Sequence, residues 1–215
     1  MRGAALALAL VLATAPAEGQ SAPPITREQA LEKIAKGDVP ARRLGAASLG
    51  DLGTMADAPA LLRALRDEDA GVRAVAESSL WQVWSRSGDQ QIDTLFQLGV
   101  EQMTRGDGQG AIDTFTAIIQ KKPDFAEGWN KRATIYFLVG EYDKSLKDCD
   151  EVVKRNPQHW GVLAGYGQIY LALDKPELAL AYFEKALKVN PNLRSVEAAV
   201  TELKRQIIEK RKGTI

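Results

Sequence analysis

Residues 160–191 read WGVLAGYGQIYLALDKPELALAYFEKALKVNP, and this stretch decides the fold. It divides into two segments, Trp160–Leu173 and Glu177–Val189, around the turn cluster Asp174-Lys175-Pro176. Apolar residues recur at helical spacing in both segments, so each reads as an amphipathic helix. Pro191 lacks a backbone N–H donor and ends the second helix, turning the chain into whatever follows. Upstream the same pattern returns at a fixed interval. Pro123, Pro157 and Pro191 are spaced by 34 residues, as are Gly99, Ala133 and Gly167, then Ala111, Ser145 and Ala179, then Phe115, Cys149 and Phe183. The earlier helix pairs are Ile92–Arg105 with Gln109–Lys121, and Phe125–Leu138 with Tyr142–Lys154. A period of this length marks a stacked-repeat architecture, in which each unit buries its apolar face only against its neighbours.

The segment 91–191 resembles the tetratricopeptide repeat (TPR), whose pattern is Trp-x2-Leu-Gly-x2-Tyr, then Ala-x3-Phe, then Pro. Unit 160–193 carries Gly167, Tyr170, Ala179, Phe183, Ala186 and Pro191 at the matching places. Unit 126–159 carries Trp129, Ala133, Tyr136 and Pro157, with Ser145 and Cys149 as small substitutes, and unit 92–125 carries Leu98, Gly99, Ala111, Phe115 and Pro123. The small residues let the paired helices approach closely, and the aromatics fill the grooves between units. A last amphipathic stretch, Leu193–Lys210 within residues 192–212, places Val196, Val200, Leu203 and Ile207 on one side and reads as a capping helix.

Residues 25–88 repeat at a different interval. Aligning Arg42 with Arg73 sets Asp38 over Asp69, Ser48 over Ser79 and Leu49 over Leu80, a spacing of 31. With Gly45, Ala46, Gly50 and the Ala58–Leu61 stretch, this segment resembles a short HEAT-type repeat of about one and a half units. Its leading helix, Ile25–Lys36, has a capping box in Thr26 and Gln29, and Asp57 is the expected N-cap of the helix that contains Pro59. Trp81 and Trp84 share a helical face and are expected to fill the joint between the two repeat types. The expected fold is therefore all-α, a right-handed α-solenoid of antiparallel helix pairs with a HEAT-like N-terminal part and a TPR C-terminal part.

Met1–Ala13 join one arginine to an uncharged apolar run too short to cross a bilayer. Ala15 and Ala17 supply the small-x-small pattern of a signal peptide, so residues 1–17 read as a signal peptide cleaved after Ala17 and residues 18–24 as a linker. Periplasmic or secreted localisation follows, with no stable membrane insertion once the signal is removed. No cysteine stands near the junction to take a lipid.

Composition narrows the function. Of 215 residues, 28 are basic and 28 acidic, which gives no electrostatic footprint for nucleic acid. One histidine and one cysteine exclude Cys/His zinc clusters and a disulfide framework, and no cofactor is expected. Cys149 reads as a buried filler, His159 as a solvated turn residue, and Asp67-Glu68-Asp69 as a helix-capping turn. The basic C-terminal end suits a helix terminus. No Ser/His/Asp set, metal cluster or phosphate-binding glycine loop is present, so the chain is not expected to be an enzyme.

The resemblance implies a concave groove lined by the first helix of each unit. Carried onto this sequence, it is lined by Phe96, Val100 and Met103, then Glu127, Asn130, Thr134 and Phe137, then Ala164, Gln168 and Leu171. This mixture suits an apolar peptide or short helix of another protein. The family's carboxylate clamp is missing, because Phe96, Val100, Lys131, Gly161 and Gly165 stand at its lysine, asparagine and arginine places. The expected role is an exported, non-catalytic scaffold or adaptor with a protein or peptide partner. The alternatives are an accessory subunit or chaperone holding envelope clients transiently, or self-association through the groove as a homodimer.

Overall fold

The computed structural model describes residues 25–212; the expected signal peptide, residues 1–17, and the expected linker, residues 18–24, lie outside the described residues. Among the described residues the fold is all helical, with eleven α-helices and one short 3-10 turn, Met55–Asp57. Four helices form an N-terminal module: α1 (Arg27–Lys36), α2 (Val39–Leu52), α3 (Ala58–Ala64) and α4 (Ala70–Trp84). Three antiparallel pairs follow: α5 (Gln90–Thr104) with α6 (Gly108–Lys121), α7 (Ala126–Leu138) with α8 (Tyr142–Arg155), and α9 (Trp160–Ala172) with α10 (Pro176–Val189). Helix α11 (Arg194–Lys212) packs on α10, burying Val200 and Leu203 beside Phe183 and Ala179.

Local chemistry sets the helix ends. The Thr26–Gln29 capping box starts α1, and the Asp38 and Asp69 carboxylates accept the N–H groups of Ala41 and Val72 at equivalent places of α2 and α4. Asp57 behaves otherwise. It stands at the start of α3 but gives that helix no side-chain cap, because its carboxylate accepts from the Arg27 guanidinium and the Thr54 N–H. Arg27 sits 30 residues away, so the sequence near Asp57 could not reveal this partner. Within the three pairs, the turn residues Gly106, Gly140 and Asp174 all adopt positive φ (78°, 79° and 54°). Aspartate is among the few side chains that tolerate this region.

The spacing within each pair follows a size rule. A Cβ on Gly99 would lie 2.6 Å from the Phe115 ring, and one on Gly167 would lie 2.4 Å from Phe183. In the middle unit the equivalent residues are Ala133 and Cys149, which share one core cluster. In each unit a small residue on one helix faces the partner helix, and the Ala133–Cys149 pair fills less volume than the two glycine–phenylalanine pairs. Ser145 adds a hydrogen bond from its hydroxyl to the Ala133 carbonyl (2.8 Å). A bidentate Arg132–Asp148 pair (2.8 Å), with Arg132 also donating to Thr116 (2.9 Å), ties α6, α7 and α8 together.

The N-terminal module lies beside the array and does not extend it end to end. It rests on the inter-unit turns, where Arg66 donates to the carbonyls of Lys188 and Val189. Asn192 Nδ2 donates to the Leu65 carbonyl (2.8 Å), and Arg73 donates to Asn192 Oδ1 (3.0 Å). Trp160, Val189 and Leu193 join the module's own core. The face of α4 that a further repeat helix would cover is covered by the third unit instead.

Two alanine substitutions test the packing rule by chemical denaturation. Gly167→Ala is expected to cost about 1–3 kcal/mol through overpacking against Phe183. Gly165→Ala, two residues away with nothing within 4 Å of its Cβ, is expected to gain about 0.5–1 kcal/mol in helix propensity. Equal effects at the two positions would refute the close-approach reading.

Candidate functional site

The residues expected to line one continuous groove separate into three settings. Phe96 is only 4% exposed and inserts between Phe115 and Phe125, with ring centroids 5.9 and 5.5 Å away. Val100 and Met103 are half-buried against the same cluster. These three belong to the core of the first unit, because the aromatic ring at position 96 fills the space between α5, α6 and the start of α7. The second setting is Glu127, which is fully buried and turned away from the groove.

Glu127 pairs with His159, the residue expected in a solvated turn. His159 is also fully buried, with its Nε2 2.5 Å from Glu127 Oε1. Its Nδ1 accepts the Val162 N–H (3.1 Å) and so caps α9, which leaves Nε2 to donate to the carboxylate. Asn130 Nδ2 donates to the other carboxylate oxygen (2.9 Å), and the Lys131 ammonium is 3.9 Å from it. Burial alone opposes ionisation of Glu127. The His159, Lys131 and Asn130 groups outweigh it and hold the carboxyl below its ordinary range. Neither group is open to a substrate, so the pair's role is structural.

The third setting is a cleft of about 160 Å³ between α7 and α9. It gathers Asn130, Thr134, Phe137, Ala164 and Gln168 from the expected set. Leu171 is exposed at the end of α9, outside the lining. Gly161 and Gly165, which stand at clamp places of the same groove, line the cleft too and remove side chains along α9. Residues that the groove positions did not name also line it: Ala133, Ser145 and Cys149, with Val162 and Ile169. Cys149 is buried there, and burial pushes its thiol up to about 12, so it is not a nucleophile at neutral pH. Thr134 Oγ1 is committed to the Asn130 carbonyl (2.9 Å) and the Asn130 amide to Glu127. The Gln168 amide at the exposed edge is the main side-chain hydrogen-bonding group left. The cleft is thus neutral, with polar and apolar surface exposed in similar measure.

One end of the cleft is set by the N-terminal module. Trp81 lies against Gly161, where a Cβ would meet its ring at 2.6 Å. Trp84 stacks on His159 (4.6 Å, 25°) and leans on Trp160 (4.3 Å), and Trp81 meets both rings edge-on at 5.3 and 5.4 Å. The tryptophans fill the joint, and His159, expected in a solvated turn, is buried between them and Glu127. Among the described residues no cluster of three or more His, Cys, Asp or Glu side chains could hold a metal, and no helix is long and apolar enough to cross a membrane.

A group with a lowered folded pKa stabilises the fold above its unfolded value and loses that contribution as the pH falls through the folded value. For Glu127 the stabilisation is therefore complete above its ordinary 4.5 and lost below it. Urea titrations are expected to show falling stability on acidification, with a shallower dependence in Glu127→Gln. Glu127→Leu, which strands the His159 and Asn130 donors, is expected to cost about 1–3 kcal/mol at neutral pH. An acid dependence identical in Glu127→Gln and the wild type would refute this assignment.

The family model for the tetratricopeptide repeat matches residues 126–159 and 167–193. A TPR repeat-containing protein of Rhizobium etli is 32% identical over 142 residues, covering 66% of this chain and 69% of that protein. Mouse tetratricopeptide repeat protein 12 is 28% identical over 103 residues, 48% of this chain but 15% of that protein. Among solved structures, the first TPR domain of Spaghetti (RPAP3) bound to an HSP90 peptide superposes with a TM-score of 0.53 at 23% identity, covering 56% of this chain and 96% of that one. The Sgt2 TPR domain of Aspergillus fumigatus gives 0.54 at 21% identity, covering 59% and 85%. With its 34-residue period, its matched units and this relative, the chain belongs to the tetratricopeptide repeat family.

Proposed function

We propose that the chain is a non-catalytic adaptor that holds an apolar peptide segment of another protein in the cleft between α7 and α9. The observation that carries this reading is the floor of the cleft. Gly165 faces open space, and Ala133, Ala164 and Gly161 keep the floor low between Phe137 and Gln168. A ridge of apolar side chains fits such a floor, and burying them there is favourable in proportion to the area removed from water. Related folds hold peptides, as in the RPAP3 domain bound to an HSP90 peptide. The peptide chemistry here differs, because Lys131 is the one cation at the clamp places, and its ammonium lies near Glu127 and over the Phe96 ring (6.0 Å). The accessory-subunit and chaperone roles would use the same cleft.

The test is a peptide-library selection on wild type and Gly165→Leu. The leucine fills the cleft without touching the core, so helicity and melting are expected to be retained. Apolar peptides are expected to be enriched on the wild type and lost on the variant. Enrichment unchanged by Gly165→Leu would remove the cleft as the site.

The proposal includes export. Residues 1–17 act as a cleaved signal, residues 25–88 form a HEAT-type module, and the adaptor works in the periplasm or outside the cell. The equivalent Asp38 and Asp69 caps, 31 residues apart, support the repeat reading of that module. A bacterial alkaline phosphatase fusion to residues 1–30, active only after translocation, is expected to be active and to be processed at Ala17. A silent, unprocessed fusion would overturn the localisation.

A further inference from the structure

A second cleft, of about 570 Å³, lies on the opposite face of the array, between the outer helices α8 and α10. Its floor is Leu163 and Tyr166 of α9, both nearly fully buried. Tyr182 forms one wall, stacked on Tyr166 with centroids 4.4 Å apart and planes at 20°. Lysines stand on both banks: Lys154 on α8, Lys185 and Lys188 on α10. Lys154 is already paired with Glu151. Lys185 and Lys188 have no acidic partner among the described residues, and the Lys185 ammonium sits 4.3 Å over the Tyr182 ring. The lining has one carboxylate, Asp150, and it is committed to the Tyr166 hydroxyl, which donates to it.

An apolar trough with cations on both banks matches one kind of occupant. A helix or strand with apolar side chains flanked by carboxylates would bury the former on Leu163 and Tyr166 and set the latter against the lysines. Water would leave those ammoniums solvated and the tyrosine wall wet. The trough is also held in shape from outside, because Arg66 of the N-terminal module grips the carbonyls of Lys188 and Val189, both lining residues. We propose that this outer cleft is a second docking site, which takes an acidic amphipathic segment of a partner protein. It is independent of the inner cleft, so the chain holds two partner segments on opposite faces of the same units.

Fluorescence anisotropy with the full chain tests this, using the labelled peptide EELLEEFLEE and its uncharged counterpart QQLLQQFLQQ. The acidic peptide is expected to bind saturably, with a Kd on the order of 10–100 µM, weakening as salt is raised. The uncharged peptide is expected to bind about tenfold or more weakly. Lys185→Glu combined with Lys188→Glu is expected to lower affinity for the acidic peptide about tenfold and to create affinity for KKLLKKFLKK. Both lysines are exposed, so helicity and melting serve as the folding check. Gly165→Leu is expected to leave this binding unchanged, which separates failure here from failure of the inner-cleft reading. No saturable binding, equal affinity for the uncharged peptide, indifference to charge reversal, or loss on Gly165→Leu would each overturn the proposal.

Discussion

Trp84 stacks on His159, and through that ring the N-terminal module is joined to two repeat units. One ring nitrogen of His159 caps α9, the other donates to Glu127 inside α7, and the ring face receives a tryptophan from the N-terminal module. Three elements distant in sequence are therefore joined through one side chain. Such a joint is demanding, because a buried carboxylate is tolerated only when its charge is met by donors, and here His159, Asn130 and Lys131 supply them. The orientation of α9 follows from this arrangement. So does the position of Trp81 at the end of the inner cleft, and with it the contact of Arg66 with the end of α10.

A second constraint acts within each helix pair. Glycine faces phenylalanine in the outer two units, and alanine faces cysteine in the middle one. The exchange leaves the middle pair smaller than the outer two. It also changes the surface above. The middle unit, with its smaller residues, forms the floor of the inner cleft together with the glycines of α9. The packing within the middle unit therefore also shapes the cleft between α7 and α9.

The balanced charge of the chain has a spatial logic. Many ionic groups join elements: Arg27 to Asp57, Arg42 to Asp67 and Glu68, Arg43 to Asp69, and Arg132 to Asp148. Arginine suits these positions because its planar fork meets a carboxylate with two hydrogen bonds. The acidic turn at residues 67–69 serves in this way both as a cap for α4 and as an anchor for α2. Lys185 and Lys188 do no such joining, and they border the outer cleft between α8 and α10.

Periodicity carried most of the fold in the sequence. The recurrence of Pro123, Pro157 and Pro191 with small and aromatic residues between them specified helix pairs and their stacking, because each repeated residue answers a local steric need within its own unit. The capping box at Thr26 and the caps at Asp38 and Asp69 were legible for the same reason, since their partners lie three residues away. What depended on residues far apart was not legible. Phe96 occupied a groove position by register, yet the neighbouring unit's Phe125 draws it into the core. Glu127 and His159 looked like a surface acid and a turn histidine until Trp84, some 75 residues upstream of the histidine, sealed them from water. The cleft took Asn130, Thr134, Phe137, Ala164 and Gln168 from the expected positions, and added Val162 and Ile169 with small residues such as Ala133, Ser145 and Cys149. The sequence determined which helices form and how each pairs, because those interactions are local and repeated. Only the tertiary structure decided where the N-terminal module rests and which groove residues stay open, because burial and charge pairing across units depend on the whole arrangement.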